Sequence, residues 1–176
     1  MTSIAVIDVE TTGLNPYRHD RVVEMAALAV RLDGTVVREL VTLVNPERDM
    51  GPIRIHGLTT REILAAPTFR DIAGALVEVL DGCVALAGHN VRFDQSFLTV
   101  EFGRLGHSFP DGPTLCTMHL AGGGRLSSIC SDYGIAVPEE AHTALDDARA
   151  TAQLLAVLLK DAPRLALELS QRQPIV

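Results

Sequence analysis

Apolar residues in the first part of the chain fall into short segments that are typical of β-strands. Ser3 to Val9 is a β-branched apolar run, the pattern of a strand covered on both faces. Two further β-rich runs cover Val22 to Leu32 and Val36 to Val44, and Asp33-Gly34 between them is a strong signal for a two-residue hairpin turn. The opening of the chain is therefore predicted to be an antiparallel meander of three strands.

Helix-capping residues and longer amphipathic segments follow after Pro52. The first elements that we expect are a short helix after the capping pair Thr59 and Glu62, a helix through Ile72 to Leu80 after the pair Thr68 and Asp71, and a strand at Cys83 to Ala87. A helix at 94 to 105 follows, with Phe97, Leu98, Phe102 and Leu105 on one face. The remaining elements are a weaker strand at Thr114 to Met118, a short helix near Ser127 to Tyr133, a long helix at Thr143 to Leu159, and a helical tail after Pro163. This order predicts an α/β fold in which a mixed sheet is flanked by helices, with residues 1–176 forming one domain.

Composition narrows the class of protein. The 176 residues are 47% hydrophobic, which fits a compact protein with a full core and excludes a disordered one. No apolar run approaches the roughly 20 residues that span a bilayer, and the N-terminus lacks a basic signal region, so we expect a cytoplasmic protein without membrane contact. Three cysteines without metal-ligand spacing are expected to be free thiols. A net charge of −7 argues against a protein that coats duplex DNA.

Acidic residues at the edges of apolar segments carry the candidate chemistry. Asp8 and Glu10 end the first predicted strand and, because side chains alternate, project to the same face. Asp94 follows the buried strand at Cys83 to Ala87, and Asp147 lies near the start of the long C-terminal helix. Each position alone has a simpler explanation, such as an acidic turn or a favourable charge at a helix N-terminus. Carboxylates brought together repel unless cations lie between them, and oxygen ligands favour Mg²⁺ or Mn²⁺.

Helical geometry separates Asp147 from its neighbour Asp146. At about 100° per residue, Asp147 lies about 100° from the centre of the apolar stripe and Asp146 about 160°. Asp147 is therefore predicted to border the core, where a carboxylate needs a partner, and Asp146 to face solvent. The stripe consists of Ala144, Ala148, Ala152, Leu155 and Leu159.

Three blocks in this order, Asp-Val-Glu-Thr-Thr-Gly from Asp8, Asn-Val-Arg-Phe-Asp ending at Asp94, and His-Thr-Ala-Leu-Asp-Asp from His142, resemble the DEDDh 3′–5′ exonucleases. The likeness, which is greatest to the proofreading epsilon subunits of bacterial DNA polymerase III, covers about residues 4–157 and implies a ribonuclease H-like fold. It implies that four carboxylates, Asp8, Glu10, Asp94 and Asp147, hold two divalent cations, Mg²⁺ or Mn²⁺, and that His142 is the general base. The products would be nucleoside 5′-monophosphates released from a strand end.

The resemblance also implies contacts with the substrate. Thr11 and Leu14 would meet the terminal nucleotide, although Leu14 can equally be explained by packing within its loop. His56, in a segment Ile-His-Gly-Leu-Thr that matches the family, would contact the strand end unless it only forms a helix-entry turn. For Phe93, packing beneath the site is favoured over stacking on a base.

Three functions remain open at this point. A 3′–5′ exonuclease acting on single-stranded DNA in proofreading or repair is the leading prediction, with a DNA polymerase catalytic subunit as a candidate partner. An exoribonuclease of the ribonuclease T or oligoribonuclease type would use the same chemistry. A non-catalytic nucleic-acid-binding or interaction module would be expected to lack at least one ligand, and all five motif positions, the four carboxylates and His142, are present.

Overall fold

A five-stranded mixed sheet forms the centre of the molecule. The computed structural model describes residues 1–48, 60–137 and 143–176. The strand order is β3-β2-β1-β4-β5, in which the first three strands are antiparallel and β4 and β5 run parallel to β1. The strands are β1 (Ser3–Thr11), β2 (Val22–Arg31), β3 (Val36–Leu43), β4 (Cys83–Gly88) and β5 (Thr114–Cys116). The predicted meander and mixed sheet are confirmed.

Helices cover both faces of this sheet in the described ranges. They are α1 (Thr60–Ala65), α2 (Phe69–Leu80), α3 (Val91–Arg104), α4 (Thr117–Leu120), α5 (Leu126–Asp132), α6 (Ala144–Asp161) and α7 (Pro163–Ser170), with a 3₁₀ turn at Pro16–Arg18. Alternation along β1 divides its side chains between two cores: Ala5, Ile7 and Val9 pack with α2 and α3, and Ile4 and Val6 pack with α6. Alternating side chains thus let one strand serve both layers.

The predicted helical faces occupy these cores. The five-residue stripe of α6 packs on the sheet in one cluster. On α3, Phe97, Leu98 and Phe102 are buried, and Leu105 packs against them at the helix end. At the start of α2, the capping box is present as predicted: the hydroxyl and the backbone N–H of Thr68 both donate to the Asp71 carboxylate, at 2.7 and 2.8 Å. Of the pair predicted to cap α1, Glu62 lies in the first turn of the helix, and Thr59 lies outside the described residues.

Local chemistry moves several boundaries from their predicted positions. β1 continues to Thr11 instead of ending near Val9, because pairing with β2 extends through Glu10 and Thr11. The β2–β3 hairpin has a three-residue loop instead of two: the N–H of Arg31 donates to the Thr35 carbonyl at 2.9 Å, and Gly34 adopts the left-handed conformation, with φ of 89°.

Two helices also differ from prediction. α3 begins at Val91, three residues early, because Asn90 takes a left-handed conformation, with φ of 69°, that turns the chain directly from β4 into the helix. The predicted strand at Thr114 to Met118 ends at Cys116, and α4 replaces its last residues. The buried hydroxyl of Thr117 contacts His89 Nδ1 at 3.0 Å, an interaction that holds the first residue of α4 beside the end of β4.

The three cysteines are free thiols, as expected. Within the described ranges, every helix is too short or too polar to cross a membrane.

Candidate active site

Two carboxylates project from the carboxyl-terminal end of β1. Asp8 and Glu10 continue the alternation of Ile4 and Val6, so they lie on the face of the sheet that α6 covers. Both side chains are half-buried. The first pair of predicted site residues is therefore placed together on one face, as their spacing indicated.

Asp94 joins this pair from α3. β4 stops short of the end of β1, and the first turn of α3 lies beside the part of β1 that β4 leaves uncovered. There the backbone N–H of Val9 donates to Asp94 Oδ1 at 3.0 Å. The Asp94 carboxylate thus accepts a hydrogen bond that the carbonyl of a neighbouring strand would otherwise accept. Because Val9 lies between Asp8 and Glu10, this bond fixes Asp94 beside both of them. Its side chain is only 4% exposed.

Asp147 approaches from α6 on the third side. It is half-buried, and its negative charge acts on Asp8. Its neighbour Asp146 was predicted to face solvent, and this is wrong: Asp146 is also half-buried, because its carboxylate binds back to Thr143, the N-cap of α6. The Thr143 hydroxyl donates to Asp146 Oδ2 at 2.7 Å and accepts from the Asp146 N–H at 3.2 Å. The two aspartates therefore divide between a helix cap and the carboxylate cluster.

The electrostatics of the cluster favour a positive charge between its members. Burial raises the pKa of Asp8 well above its usual range, and the negative charges of Asp94, Asp147 and Glu10 raise it further. Burial also raises the pKa of Asp94 to about 8, against the opposing hydrogen bonds from its own N–H and that of Val9. A divalent cation would supply the positive charge that stabilises these acids in their ionised form. Carboxylate oxygens are ligands that suit Mg²⁺ and Mn²⁺. The donor chemistry therefore fits the implied metal ions.

The carboxylates lie farther apart than the ligands of a bound metal ion do. In the part of the chain that the structure describes, no three His, Cys, Asp or Glu side chains stand at metal-binding spacing. The acids are electrostatic neighbours, and cation binding would require their side chains to close around the ion.

A further acid, Glu24 on β2, lies beside the cluster and was missed at the level of sequence. It pairs directly with Glu10 across the β1–β2 ladder and is 8% exposed. Burial raises the pKa of Glu24, the backbone N–H of Ala144 lowers it, and the negative charge of Asp146 raises it further. A signal was available, because Glu24 interrupts an otherwise apolar run from Val22 to Val30, and a buried charge requires a partner.

The residues predicted to meet substrate have different environments. Leu14 is 86% exposed, so the alternative that it packs within its loop is wrong. Thr11 is buried, and its hydroxyl donates to the Gly13 carbonyl at 2.6 Å. Phe93 is half-buried with its ring 5.0 Å from that of Phe97, as expected for packing beneath the site. The predicted residues His56 and His142 lie outside the described residues.

The loop that presents Leu14 is held by a buried ionic network. Glu101 on α3, which is 2% exposed, accepts from Arg21 Nε at 2.7 Å and from Arg104 Nη1 at 3.0 Å. Arg104 Nη2 also donates to the carbonyl of Pro16 at 3.2 Å, within the loop itself. The end of α3 thus fixes the loop, while the start of the same helix supplies Asp94.

A histidine directly after β4 holds a glycine-rich turn through two contacts. His89 Nδ1 contacts the Thr117 hydroxyl, and His89 Nε2 lies 3.1 Å from the carbonyl of Gly124. The second contact ties down a run of three glycines whose φ values are all positive. His89 therefore orients this turn through its two ring nitrogens, whereas Asn90 makes no side-chain cap bond.

Comparison with known proteins places this arrangement in a family. Residues 5–155 match the RNase_T family model, described as Exonuclease. The chain is 36% identical over 168 residues to a DNA polymerase III subunit epsilon-like protein of Rhodobacter capsulatus, covering 89% of this chain and 24% of that protein. It is 32% identical over 167 residues to the PolC-type DNA polymerase III of Bacillus subtilis, covering 89% and 11% respectively. The chain thus spans a quarter or less of these relatives.

Solved structures share the fold at lower identity. E. coli Exonuclease I in complex with a dA16 oligonucleotide superposes with a TM-score of 0.78 and 19% identity, covering 96% of this chain and 43% of that one. The nuclease domain of 3′hExo, a DEDDh family member bound to rAMP, superposes with a TM-score of 0.73 and 17% identity, covering 90% and 92%. These likenesses confirm the ribonuclease H-like fold. The match over residues 5–155 shows that the chain belongs to the exonuclease family.

Proposed function

We propose that this chain is a metal-dependent 3′–5′ exonuclease domain, formed by residues 1–176, which removes nucleoside 5′-monophosphates from single-stranded DNA. The observation that carries the proposal is the meeting of three separate sequence blocks at the end of β1. Asp94 accepts the N–H of Val9 between Asp8 and Glu10, and Asp147 acts on Asp8 from α6. Membership of the exonuclease family supports the same chemistry.

The four carboxylates have the proposed role of metal ligands. Asp8, Glu10, Asp94 and Asp147 would hold two divalent cations, Mg²⁺ or Mn²⁺. When bound, such a pair of ions activates a water molecule and neutralises charge on the departing oxygen of a phosphodiester. The raised pKa values of Asp8 and Asp94 support this role, because burial disfavours the negative charge of each acid and a bound cation would offset that effect.

Five further residues have the proposed roles of positioning the 3′ end of the DNA and of accepting the proton of the attacking water. His142, in the position that the family motif gives to the general base, would take a proton from the attacking water when its imidazole is neutral. Leu14 stands out from a loop fixed by Glu101 and would pack against the terminal bases. Thr11 would meet the terminal nucleotide, and His56 the strand end. Phe93 would support the floor of the site.

DNA is proposed as the substrate because the relatives are named as DNA polymerase III proteins and one structural neighbour is held in complex with a dA16 oligonucleotide. RNA is the second candidate, favoured by the likeness to 3′hExo, whose structure is bound to rAMP. We further propose a role in proofreading or repair in the cytoplasm, with a DNA polymerase catalytic subunit as partner, which the DNA polymerase III names of the relatives favour. A binding module without catalysis is disfavoured, since every ligand position of the motif is retained.

Matched oligonucleotides test this proposal. DNA and RNA strands of one sequence, labelled at the 5′ end, would be incubated with Mg²⁺ or Mn²⁺ and, in parallel, with a chelator. We expect a ladder that shortens one nucleotide at a time from the 3′ end of DNA and is absent with chelator. A clear preference for RNA would replace the DNA proposal with the exoribonuclease one. Intact strands of both kinds would contradict the proposed activity.

A further inference from the structure

Tyr17 is an exposed aromatic residue on the loop that joins β1 to β2. It lies in the 3₁₀ turn Pro16–Arg18, and its side chain is 73% exposed. The five phenylalanines of the chain are buried or half-buried, and the second tyrosine, Tyr133, is 42% exposed. Tyr17 is therefore the most exposed aromatic ring of the protein, and it contributes little to packing.

The loop that carries Tyr17 leaves β1 at the end where the carboxylates lie. The N–H of Thr12 donates to the carbonyl of Arg21 at 2.9 Å and closes the base of the loop. Single exposed apolar residues are ordinary on protein surfaces. Here, however, two large ones, Leu14 and Tyr17, stand on one short loop beside the candidate site. Three residues of chain span at most about 11 Å, so both side chains can contact neighbouring bases of one strand.

Hydrogen bonds hold the backbone of this loop in a defined conformation. The Asn15 side chain accepts the N–H of Tyr17 at 3.0 Å, and the Asp20 side chain accepts the N–H of Asn15 at 2.9 Å. Arg104 on α3 donates to the carbonyl of Pro16 at 3.2 Å. The position of Tyr17 is thus fixed before a ligand binds, which lowers the entropy that binding must cost.

The charges next to Tyr17 suit a polyanion, although the whole chain carries a net charge of −7. Arg18 is exposed and, among the residues that the structure describes, has no ion-pair partner. The acid of the loop, Asp20, lies 3.4 Å from Arg48 Nη1, which offsets its negative charge. An exposed arginine beside an exposed ring is the combination that binds unpaired nucleic acid, because the cation contacts the backbone and the ring stacks on a base.

We propose that Tyr17 is a second contact for the single-stranded DNA substrate, on which a base upstream of the terminal nucleotides stacks, while Arg18 contacts an adjacent phosphate. The inference rests on the proposed nuclease function, because the strand must enter with its 3′ end at the carboxylates. Leu14, nearer to β1, would meet the terminal bases, and Tyr17 the bases on their 5′ side. Bases within a duplex are already stacked and must be unstacked at a cost, so this contact favours unpaired strands that are long enough to reach the ring.

Substrate length separates this contact from the catalytic centre. An oligonucleotide of about 12 nucleotides reaches Tyr17, whereas a dinucleotide ends before it. In the 3′-end assay we expect Tyr17→Leu to lower kcat/KM on the long strand by about 5- to 100-fold, the effect of losing one stacked base, and to leave the dinucleotide within about twofold. Tyr17→Phe keeps the ring and should match the wild type on both. Tyr133→Leu, which removes the other tyrosine, is the matched control and should also match the wild type.

Binding gives a readout that does not need activity. The affinity for a 5′-labelled long strand is measured by fluorescence anisotropy, with Ca²⁺ in place of Mn²⁺ to slow digestion, over a range of salt concentrations. Tyr17→Leu should weaken binding without changing its salt dependence. Arg18→Gln should reduce the slope of log K against log salt by about 0.7, the effect of losing one phosphate contact on a single strand.

Four outcomes decide between the contact and the function. Equal affinity and kcat/KM of Tyr17→Leu and the wild type on the long strand would disprove the contact. An equal loss on the dinucleotide would also disprove it, since the loop itself would then be disturbed. A loss in Tyr17→Phe as large as in Tyr17→Leu would exclude stacking. A wild type that binds the long strand but digests neither DNA nor RNA would overturn the proposed function alone, because the affinities would still decide the contact.

Discussion

The backbone N–H of Val9 donates to the side chain of Asp94 at 3.0 Å, although 85 residues separate them in the chain. Val9 lies between Asp8 and Glu10, so this one hydrogen bond brings the first and second sequence blocks together. Asp94 can make this bond from a helix, because β4 leaves the end of β1 unpaired and the first turn of α3 lies beside that end.

Asp146 and Asp147 are predicted to separate stability from activity. Asp147→Asn should lower exonuclease activity by at least about 100-fold, since it removes a proposed ligand. Asp146→Ala should leave activity within about threefold and cost about 1 kcal/mol of unfolding free energy, because it removes the acceptor of the Thr143 hydroxyl. Steady-state digestion and urea unfolding of both variants provide the check. The reverse pattern would show that the two neighbours have been assigned to the wrong roles.

The stability of the metal-free protein should depend on pH in a specific direction. The pKa of Asp94 is raised to about 8 in the folded state, so the folded protein binds more protons than the unfolded chain between the unfolded value and about 8. Stability is therefore highest at the acidic end of this window and falls as the pH rises through it. With chelator, we expect Tm to drop by at least about 3 °C between pH 5.5 and pH 8.5. Excess Mn²⁺ should reduce this drop, and a rise in Tm with pH under chelation would contradict the interpretation of Asp94.

Leu14 is expected to contribute to substrate binding and not to folding. Its side chain is 86% exposed, so Leu14→Ala should change unfolding free energy by less than about 0.5 kcal/mol. Loss of its apolar contact with bases should raise KM for single-stranded DNA by about 5- to 30-fold, equivalent to about 1–2 kcal/mol. Leu167→Ala, at a 59% exposed position on α7, is the matched control and should leave KM unchanged. Equal KM values for both variants would exclude a substrate contact at Leu14.

The buried network around Glu101 should contribute far more to stability than an exposed ion pair. Glu101→Gln weakens the partner of two arginines whose side chains are 16% and 29% exposed, and the loss of hydrogen bonds between charged groups typically costs about 1.5–3 kcal/mol. Glu39→Gln breaks a pair with Arg149, whose side chains are 49% and 52% exposed, and should cost no more than about 1 kcal/mol. Chemical unfolding measures both, and similar losses for the two variants would refute the structural role of the network. Glu101→Gln should also raise KM, because the network fixes the loop that presents Leu14.

Much of the fold could be predicted because the strong periodic segments bury one continuous face each. The apolar stripe of α6 and the aromatic face of α3 could be predicted from residue spacing alone, since a helix is the element that brings residues at this spacing onto one buried face. The extension of β1 to Thr11 could not be predicted, because the residues that pair with β2 there are polar and typical of a loop. The identity of α4 depends on a tertiary contact between Thr117 and His89, which no local pattern encodes.

The candidate site was predictable in its members more than in its supports. Asp8, Glu10, Asp94 and Asp147 stand in recognisable blocks, whereas Glu24 and Glu101 lie beside residues that are distant in sequence. A helical projection placed Asp147 correctly at the border of the core but could not foresee that Thr143 draws Asp146 back onto the helix start. The unpaired Asp146 N–H in the first turn requires an acceptor, which is the Thr143 hydroxyl, and this hydroxyl in turn donates to the Asp146 carboxylate and holds it at the helix start.

The most direct test of the account is digestion of single-stranded DNA by the wild type and by Asp94→Asn. The asparagine variant can still accept the Val9 N–H through its amide oxygen, so its fold should be preserved and its Tm at pH 8 should not fall. With Mn²⁺, the wild type should release nucleoside 5′-monophosphates one at a time from the 3′ end, and Asp94→Asn should release at least about 100-fold less. Undiminished release by a folded Asp94→Asn variant would contradict the proposal that these carboxylates form the catalytic centre.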